Sequence, residues 1–258
     1  MESMSKASRE VALFVTCLVD AMRPNVGFAA IKLLQDAGCD VVVPKQQTCC
    51  GQPAYNSGDE LDSRALAKQL IKTFEIYDNV VVPSGSCAGM IKDHYPKLFS
   101  DDPEWHARAV KLAANTFELT SFLVDVLAVE TVSAEYDGVV CYHDSCAGLR
   151  ELNVKAQPRK LLKSVKGVQI QEMKDAEVCC GFGGLFCVKY SDISNNMVSR
   201  KLDNIKSSGA DTMLAGDLGC LLNIAGKLSR DKSPVKAWHV AEVLAGMTDI
   251  PAIGEGEA

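Results

Sequence analysis

The sequence has no apolar run that approaches the ~20 residues needed to cross a bilayer; its apolar stretches are short, as at Val11–Val15. It also has no apolar leader, because Met1–Glu10 is polar and mixed in charge, so no signal peptide is expected. Long basic runs are absent and the net charge is -6, which argues against nucleic acid as a main partner. These absences predict a cytoplasmic protein without a transmembrane segment.

Two cofactor-binding motifs are missing as well. The chain contains no ferredoxin-type C-x2-C-x2-C segment and no G-x-G-x-x-G dinucleotide fingerprint. What it has in quantity is apolar material, 47% of residues, and 11 cysteines. A chain of this composition builds a core without disulfides, and in a reducing compartment its cysteines are expected to be metal ligands or redox groups.

Eight of the cysteines follow one spacing that occurs twice. In the first half, 31 residues separate Cys17 from Cys49-Cys50-Gly51, and 36 separate Cys50 from Cys87. In the second half, 32 residues separate Cys146 from Cys179-Cys180-Gly181, and 39 separate Cys180 from Cys220. We call these groups the first set (Cys17, Cys49, Cys50, Cys87) and the second set (Cys146, Cys179, Cys180, Cys220). The repeat predicts two soft-metal sites on a duplicated scaffold.

Strand and helix patterns alternate in both halves. Strands are predicted at Val11–Thr16, Asp40–Pro44, Asn79–Pro83, Gly138–Tyr142, Val168–Met173 and Thr212–Ala215. Helices are predicted at Pro24–Asp36, Glu60–Tyr77, Pro158–Val165 and Ser191–Ser208, with connecting helices in Pro103–Val129. This alternation predicts an α/β fold of two tandem, duplicated three-layer domains, each with a parallel-rich sheet flanked by helices. The expected domains are 10–129 and 130–247, followed by a flexible tail at 248–258.

Each cysteine position follows a predicted strand, so the cysteine loops of one half should meet at the carboxyl edge of its sheet. Thiolates select zinc, Cu(I) or iron–sulfur clusters. Structural zinc sites usually use cysteines spaced C-x2–4-C, whereas adjacent cysteines diverge and suit a larger, multi-iron group. Cys87 and Cys220 lie near predicted helix starts, which favour thiolates. An iron–sulfur cluster in each half is therefore expected, with zinc in at least one half as the alternative.

These motifs resemble the CCG (cysteine-rich) domain proteins, which include the B subunit of heterodisulfide reductase and the iron–sulfur subunits of glycolate and glycerol-3-phosphate oxidases. Within that group the chain looks most like the LutA/YkgE lactate-utilization family over about residues 10–247. The strings that carry this likeness are Val15-Thr16-Cys17-Leu18-Val19-Asp20, Gln47-Thr48-Cys49-Cys50-Gly51-Gln52-Pro53, Tyr142-His143-Asp144-Ser145-Cys146 and Cys179-Cys180-Gly181-Phe182-Gly183-Gly184.

The resemblance implies an iron–sulfur electron-transfer subunit that works with two further lactate-utilization subunits to oxidise L-lactate to pyruvate. Any flavin or nicotinamide should then lie on another subunit. Related units that bind a noncubane double cluster end in C-x2-C, but Met90 and Asn223 occupy those final positions here. Four ligands per half, and one [4Fe–4S] cluster in each, are the expectation. A heterodisulfide or thiol reductase-type catalytic subunit and a zinc-stabilised scaffold are the alternatives.

The other candidates carry weaker signals. Cys187 is a candidate extra ligand of the second set, although its neighbours favour a buried packing role, and Cys39 and Cys141 are expected in the core. His143-Asp144-Ser145 cannot form a hydrolase triad, because a triad needs residues that converge in space. His143 is instead a candidate hydrogen-bond donor to the cluster of the second half.

Overall fold

A computed structural model describes residues 8–255. The chain is an α/β protein with eight strands: β1 Arg9–Leu13, β2 Cys39–Val42, β3 Val80–Val82, β4 Thr116–Glu118, β5 Glu135–His143, β6 Lys166–Ile170, β7 Thr212–Ala215 and β8 Lys236–His239. The helices of the first half are α1 Cys17–Met22, α2 Pro24–Asp36, α3 Gln52–Asn56, α4 Glu60–Phe74, α5 Gly85–Gly89, α6 Tyr95–Leu98, α7 Pro103–Asn115 and α8 Leu119–Ser121. Those of the second half are α9 Cys146–Arg150, α10 Ala156–Leu162, α11 Phe186–Lys189, α12 Ser191–Ser208, α13 Leu218–Arg230 and α14 Val240–Leu244. Two π turns, Met90–His94 and Phe122–Val126, continue α5 and α8.

The two halves have the same sheet topology. The strand order is β2-β1-β3-β4 in the first sheet and β6-β5-β7-β8 in the second, and every pairing is parallel. Parallel pairing places all four carboxyl ends of a sheet on one edge. The predicted α/β fold, with one parallel sheet in each half, is therefore confirmed. In each half, the loops that carry the cysteines meet at the carboxyl edge of the sheet.

Two strands were missed by the sequence patterns. The segment predicted as connecting helices, Pro103–Val129, contains β4 directly after α7, and β8 forms the corresponding edge of the second sheet. Each half thus has four strands and not the three predicted. Strands of three and four residues are too short to show the alternation that marks a strand, and β4 begins without an intervening turn.

Where the local signals were strong, the predicted bounds agree with the structure. Helix α2 begins at Pro24, whose fixed φ and missing N–H suit the first helical position, and Gly38 beyond its end has φ +84. Helix α12 and strand β7 have the predicted bounds.

Three apolar cores give the fold its layers. Alternate residues of β1 face opposite sides: Val11 and Leu13 lie in a central core, while Ala12 and Phe14 lie in an outer core with Cys50. The central core also receives residues from the second sheet and from the helices between the sheets, among them Val140, Leu161, Leu214 and Val243. The halves therefore share a buried apolar interface.

Near the cysteines, the halves make a second, tighter contact. Helix α5, which carries Cys87, packs on α9, which begins at Cys146, and α1 packs on α13 in the corresponding arrangement. A Cβ atom on Gly85 would lie 2.9 Å from the Cα of Gly148 and 3.0 Å from Ser145 Oγ. Only glycine allows the helices to approach this closely.

Part of the predicted flexible tail, 248–258, is packed. Ala252 and Ile253 are buried, and the Ile253 amide donates to the carbonyl of Ala237 at 2.9 Å. This packing differs from the prediction, because Ala252 joins the central core and Ile253 joins the outer core of the second half. Residues 256–258 lie outside the described residues. Across the described 8–255, no helix has the length and apolar character that a bilayer crossing would need.

Replacing Gly85 by alanine should lower the free energy of unfolding by about 1–3 kcal/mol, because the added methyl group overpacks the α5–α9 contact. Gly226→Ala in α13 is the matched control: its Cβ would meet only Arg230 Nη1 at 3.6 Å, so it should be neutral or stabilise by up to about 1 kcal/mol. Urea unfolding measures both variants. Equal midpoints for the two would contradict the close approach of α5 and α9.

The missed strand β4 ends in a buried acid. Glu118 is 4% exposed, and its Oε2 accepts hydrogen bonds from Thr120 Oγ1 at 2.6 Å and from the Ser121 amide at 2.9 Å. Burial raises the pKa of Glu118 to about 7, against this opposing effect of its hydrogen bonds. The folded protein therefore keeps a proton on Glu118 that the unfolded chain releases above its ordinary value of 4.5.

Glu118→Gln should change how stability depends on pH. Because the folded pKa is raised, the wild type keeps its full stability below about pH 4.5 and loses up to about 3 kcal/mol as the pH rises to and through about 7. The variant should not show this loss, so it should gain on the wild type between pH 5 and pH 8 in urea unfolding. Glu130→Gln, at a carboxylate whose side chain is 81% exposed, should stay within about 0.5 kcal/mol of the wild type at both pH values. A constant difference between E118Q and the wild type would be the contrary result.

Candidate metal centres

The first set converges at the carboxyl edge of the first sheet. Cys17 begins α1 after β1, Cys49 and Cys50 lie in the loop after β2, and Cys87 is the third residue of α5 after β3. The sulfur atoms of Cys50 and Cys87 are 3.4 Å apart, and the thiols of Cys17 and Cys50 hydrogen-bond to Cys49. The structure thus brings together all four predicted residues of this set.

The second set repeats the arrangement. Cys146 begins α9, Cys179 and Cys180 follow β6 in a long loop, and Cys220 is the third residue of α13. Thiol hydrogen bonds connect Cys179 to Cys146 and Cys180, and Cys180 to Cys220. Cys87 and Cys220 lie in the first turn of a helix, near the predicted helix starts, and Cys17 and Cys146 are the first residues of helices where the sequence indicated loops.

The glycine after each cysteine pair shapes its turn. Gly51 has φ +82 and Gly181 φ +86, and their amides donate to the sulfur atoms of Cys49 at 3.4 Å and Cys179 at 3.3 Å. A Cβ on Gly181 would lie 2.9 Å from the carbonyl oxygen of Ser194. Within each pair, the first cysteine is half-buried and the second is buried, so adjacent thiols present their sulfur atoms at different depths.

Electrostatics make each set a site for a soft cation. Hydrogen bonds from neighbouring thiols lower the pKa of Cys49 to about 3 and of Cys179 to about 2. The same contacts, with burial and the nearby negative charge, raise the pKa of Cys17, Cys146 and Cys180. Four thiols this close repel one another when ionised, and a metal group would supply the positive charge that stabilises them as thiolates. This donor set fits an iron–sulfur cluster or zinc.

An interaction between the halves holds the two helix starts that carry Cys87 and Cys220. Asp217, 4% exposed, caps α13 with its Oδ1, which accepts from the Gly219 amide at 3.2 Å. Its Oδ2 accepts from the Ser86 amide at 2.8 Å and from Ser84 Oγ at 3.3 Å in the first half. One carboxylate therefore fixes a cysteine of each set.

A cavity of about 180 Å³ adjoins the first set, and residues from both halves line it. The first half contributes all four cysteines of the set, and the second half contributes Phe182, Leu185 and Leu218 among others. A Cβ atom on Gly219 would lie only 2.4 Å from the ring of Phe182, so the ring packs directly against this glycine. Because Cys17 is exposed, this site faces solvent.

The surroundings of the two sets differ although their backbones correspond. His143, three residues before Cys146, is completely buried, whereas Phe14 stands three residues before Cys17. Lys201 is 1% exposed and its Nζ donates to the Asp175 carbonyl at 2.6 Å. Leu70 occupies the corresponding place in the first half. The second set thus has polar neighbours where the first has apolar ones.

Leu70 in α4 and Lys201 in α12 occupy equivalent positions relative to the cysteine pair of their own half. Gly51 approaches Ser63 and Leu66 of α4, and Gly181 approaches Ser194 and Met197 of α12, with the same spacing of three residues. Leu70 and Lys201 each follow their serine by seven residues. Burial lowers the pKa of Lys201 and lowers that of His143 to about 4, so His143 is neutral at pH 7.

Asn223 and Met90, which occupy the positions of the absent fifth cysteines, have structural roles. Asn223 Nδ2 donates to the carbonyl of Cys180 at 2.9 Å, and Met90 is fully buried in the outer core of the first half. Tyr95 supports the first set in a similar way, since its hydroxyl donates to the carbonyl of Cys50 at 2.7 Å.

The remaining cysteines have packing or local roles. Cys39 and Cys141 are buried in β2 and β5, as predicted. Cys187 lies half-buried in α11, and its sulfur donates to the carbonyl of Gly184 at 3.3 Å. Asp144 pairs with Arg159 at 2.7 Å, which gives it a structural partner outside any triad.

Two residues of the sites escaped sequence reasoning. Asp217 had a signal, because it precedes Cys220 by three residues as Ser84 precedes Cys87, and both are good N-cap residues. Lys201 had none, since a lysine in an amphipathic helix ordinarily faces solvent.

Comparisons with known proteins agree with this architecture. The family model described as a cysteine-rich domain (CCG) matches residues 11–92 and 140–225. Lactate utilization protein A of Geobacillus sp. (strain WCH70) is 49% identical over 235 residues, 91% of this chain and 98% of the relative. The proteins of that name from Geobacillus kaustophilus (strain HTA426) and Exiguobacterium sp. (strain ATCC BAA-1283 / AT1b) are each 50% identical over 91% of this chain, covering 98% and 96% of their own lengths.

A solved structure shares the fold. The crystal structure of a hypothetical protein from Helicobacter pylori superimposes with a TM-score of 0.62 at 13% identity, over 94% of this chain and 49% of that one. At this identity the likeness bears on the fold alone.

Asp217→Asn should lower the free energy of unfolding by about 1–3 kcal/mol. Both carboxylate oxygens accept backbone N–H groups, so the amide –NH₂ of asparagine must face a donor, either at Ser86 or at Gly219. Asp59→Asn is the matched control, because Asp59 is an exposed N-cap that uses only Oδ1 and should change stability by less than about 0.5 kcal/mol. Equal effects in urea unfolding would contradict the bridging role of Asp217.

Proposed function

We propose a function from one premise: the chain belongs to the cysteine-rich (CCG) domain family and, within it, to the family of lactate utilization protein A. The proposed function is that of a cytoplasmic iron–sulfur electron-transfer subunit in an L-lactate oxidation system. Each set is proposed to hold one [4Fe–4S] cluster. Two further lactate-utilization subunits are the proposed partners.

The observation that carries this proposal is the convergence of eight thiols into two sets of four, each at the carboxyl edge of a parallel sheet. A set includes two adjacent cysteines whose sulfur atoms lie at different depths, which suits ligation of different irons better than chelation of one zinc ion. The relatives' name supports lactate utilization as the setting.

The residues of this chain would bind and enclose such a group. When bound, a cluster supplies one-electron transfer without contact between this chain and lactate. The amides of Gly51 and Gly181 hydrogen-bond to thiolate sulfur, which stabilises negative charge there. Phe182, Leu185 and Leu218 would give the first set an apolar wall on one side.

A second candidate function is thiol or heterodisulfide reduction. The cavity beside the first set favours it, because a small thiol could enter there next to the exposed Cys17. This candidate differs from the first in requiring a substrate that contacts the first set, whereas a relay requires only partners.

Cys49→Ser and Cys179→Ser should each remove one cluster and leave the other. The wild type, purified without oxygen or reconstituted with iron and sulfide, should be brown and hold about eight irons and eight sulfides, and each variant about four of each. Iron and sulfide analysis with visible absorbance measures this. Cys39→Ala, at a buried strand cysteine outside both sets, should keep the full content.

Different outcomes separate the functions. A colourless protein with stoichiometric zinc after reconstitution would exclude both redox functions and leave the scaffold alternative. If the brown protein is a relay, deletion of its gene should abolish growth on L-lactate, with rescue by the wild type and C39A but not by C49S. If it is a reductase, the reduced protein should consume a small disulfide and C49S should not.

A further inference from the structure

His143 has an unused ring nitrogen next to the second set. It lies at the end of β5 with no exposed surface, and its Nδ1 is 3.1 Å from the carbonyl oxygen of Ala176. A carbonyl only accepts, so Nδ1 carries the proton and Nε2 presents a lone pair. That Nε2 has no hydrogen-bond partner among the described residues.

The lone pair lies among thiols. A ring nitrogen of His143 and the sulfur atoms of Cys180 and Cys220 all lie within 4.8 Å of one another, and all three residues are buried; with Nδ1 bonded to the Ala176 carbonyl, Nε2 is the nitrogen available to a metal. Lys201 does not satisfy Nε2, since its Nζ donates to the carbonyls of Asp175 and Ala176. A buried acceptor without a donor is costly, and a metal ion satisfies it. Histidine ligands commonly donate the other ring N–H to a backbone carbonyl, as His143 does to Ala176.

Another buried histidine shows what a purely structural role looks like. His239 is 1% exposed, and its Nε2 likewise has no hydrogen-bond partner among the described residues, but its Nδ1 accepts from the Ala241 amide at 3.2 Å, so its proton is on Nε2. Carbonyl oxygens of Pro83 and Gly216 lie near that ring. His239 therefore presents a donor to carbonyls, and His143 presents an acceptor to thiols.

The buried histidine lies beside the second set and has no counterpart beside the first. Phe14 occupies the corresponding place beside the first set and is equally buried, in the same core as Cys50. A phenylalanine there shows that packing at this site does not require an imidazole. Packing alone therefore does not explain the histidine in the second half, whereas the chemistry of its ring nitrogen does.

We propose that His143 is a ligand of the metal group at the second set, binding through Nε2 beside Cys180 and Cys220. The second centre then has mixed nitrogen and sulfur donors, and the first has sulfur donors alone. This inference rests on the proposed function, because it takes the second set to hold a metal group. It changes the sequence-based role of His143 from a hydrogen-bond donor to a ligand, since Nε2 has no proton to donate.

Nitrogen hyperfine coupling tests the ligand without any substitution. The full chain is produced with natural-abundance or ¹⁵N-labelled histidine, loaded with iron and sulfide, reduced, and measured by pulsed electron paramagnetic resonance. A coordinated imidazole should give a coupling that changes from the ¹⁴N to the ¹⁵N pattern on labelling. Absence of any histidine coupling in the reduced, iron-loaded protein would overturn the proposal.

Variants assign that coupling to one residue. His143→Phe, which copies the first half, should abolish it, and His239→Phe should keep it. Cys49→Ser, which disrupts only the first set, should keep it as well. A coupling that survives in H143F would overturn the assignment.

Cobalt binding separates a failure of this inference from a failure of the proposed function. In the metal-free C49S protein, Co²⁺ at the second set should give sulfur-to-cobalt charge-transfer absorbance. Adding H143F should weaken Co²⁺ binding by at least the roughly 10- to 100-fold that loss of an outer-shell partner costs, and adding H239F should not. Iron loading without histidine coupling leaves the proposed function standing and rejects the ligand. If iron does not load, the proposed function fails, and equal Co²⁺ affinities with and without H143F would still reject the ligand.

Discussion

The mutual repulsion of four close thiols is the constraint on which the rest of the structure depends. Where one thiol in a set ionises, its charge raises the pKa of the others, so the set is stable as four thiolates only around positive charge. Backbone groups near the sulfur atoms supply partial positive charge or fix the positions of the thiols. The Gly51 and Gly181 amides point at sulfur, and Cys87 and Cys220 occupy helix starts. The parallel sheets make the convergence possible, because they deliver segments far apart in sequence to one edge.

The same arrangement makes the two halves interdependent. Asp217 caps the helix of Cys220 and accepts the amide of Ser86, the residue before Cys87. Gly85 brings α5 against α9, where Cys146 begins the helix. Buried hydrogen bonds and close packing therefore fix the backbone of the two sets relative to each other. The duplicated halves thus contact each other near the cysteines as well as through the central apolar core.

The parts predictable from sequence were those with local causes. Pro24 fixed the start of α2, and the cysteine spacing identified both sets, because ligand type and position suffice for that inference. Strands β4 and β8 were missed, since at three and four residues they exist through pairing with β3 and β7 and not through their own pattern. Lys201 was missed for a related reason: its burial depends on carbonyls of a distant loop. The tautomer of His143 likewise depends on Ala176, 33 residues away.

The two sets differ in solvent exposure and in the side chains beside them. Cys17 leaves the first set open to solvent, whereas Cys180 and Cys220 are buried. On the proposed ligation, a neutral imidazole joins the four cysteines of the second set, which then has a nitrogen donor as well as sulfur donors. Phe14 gives the first set no such donor. The two sets, alike in backbone, therefore differ in the groups beside their thiols through one residue pair, Phe14 and His143, at corresponding places in the same fold.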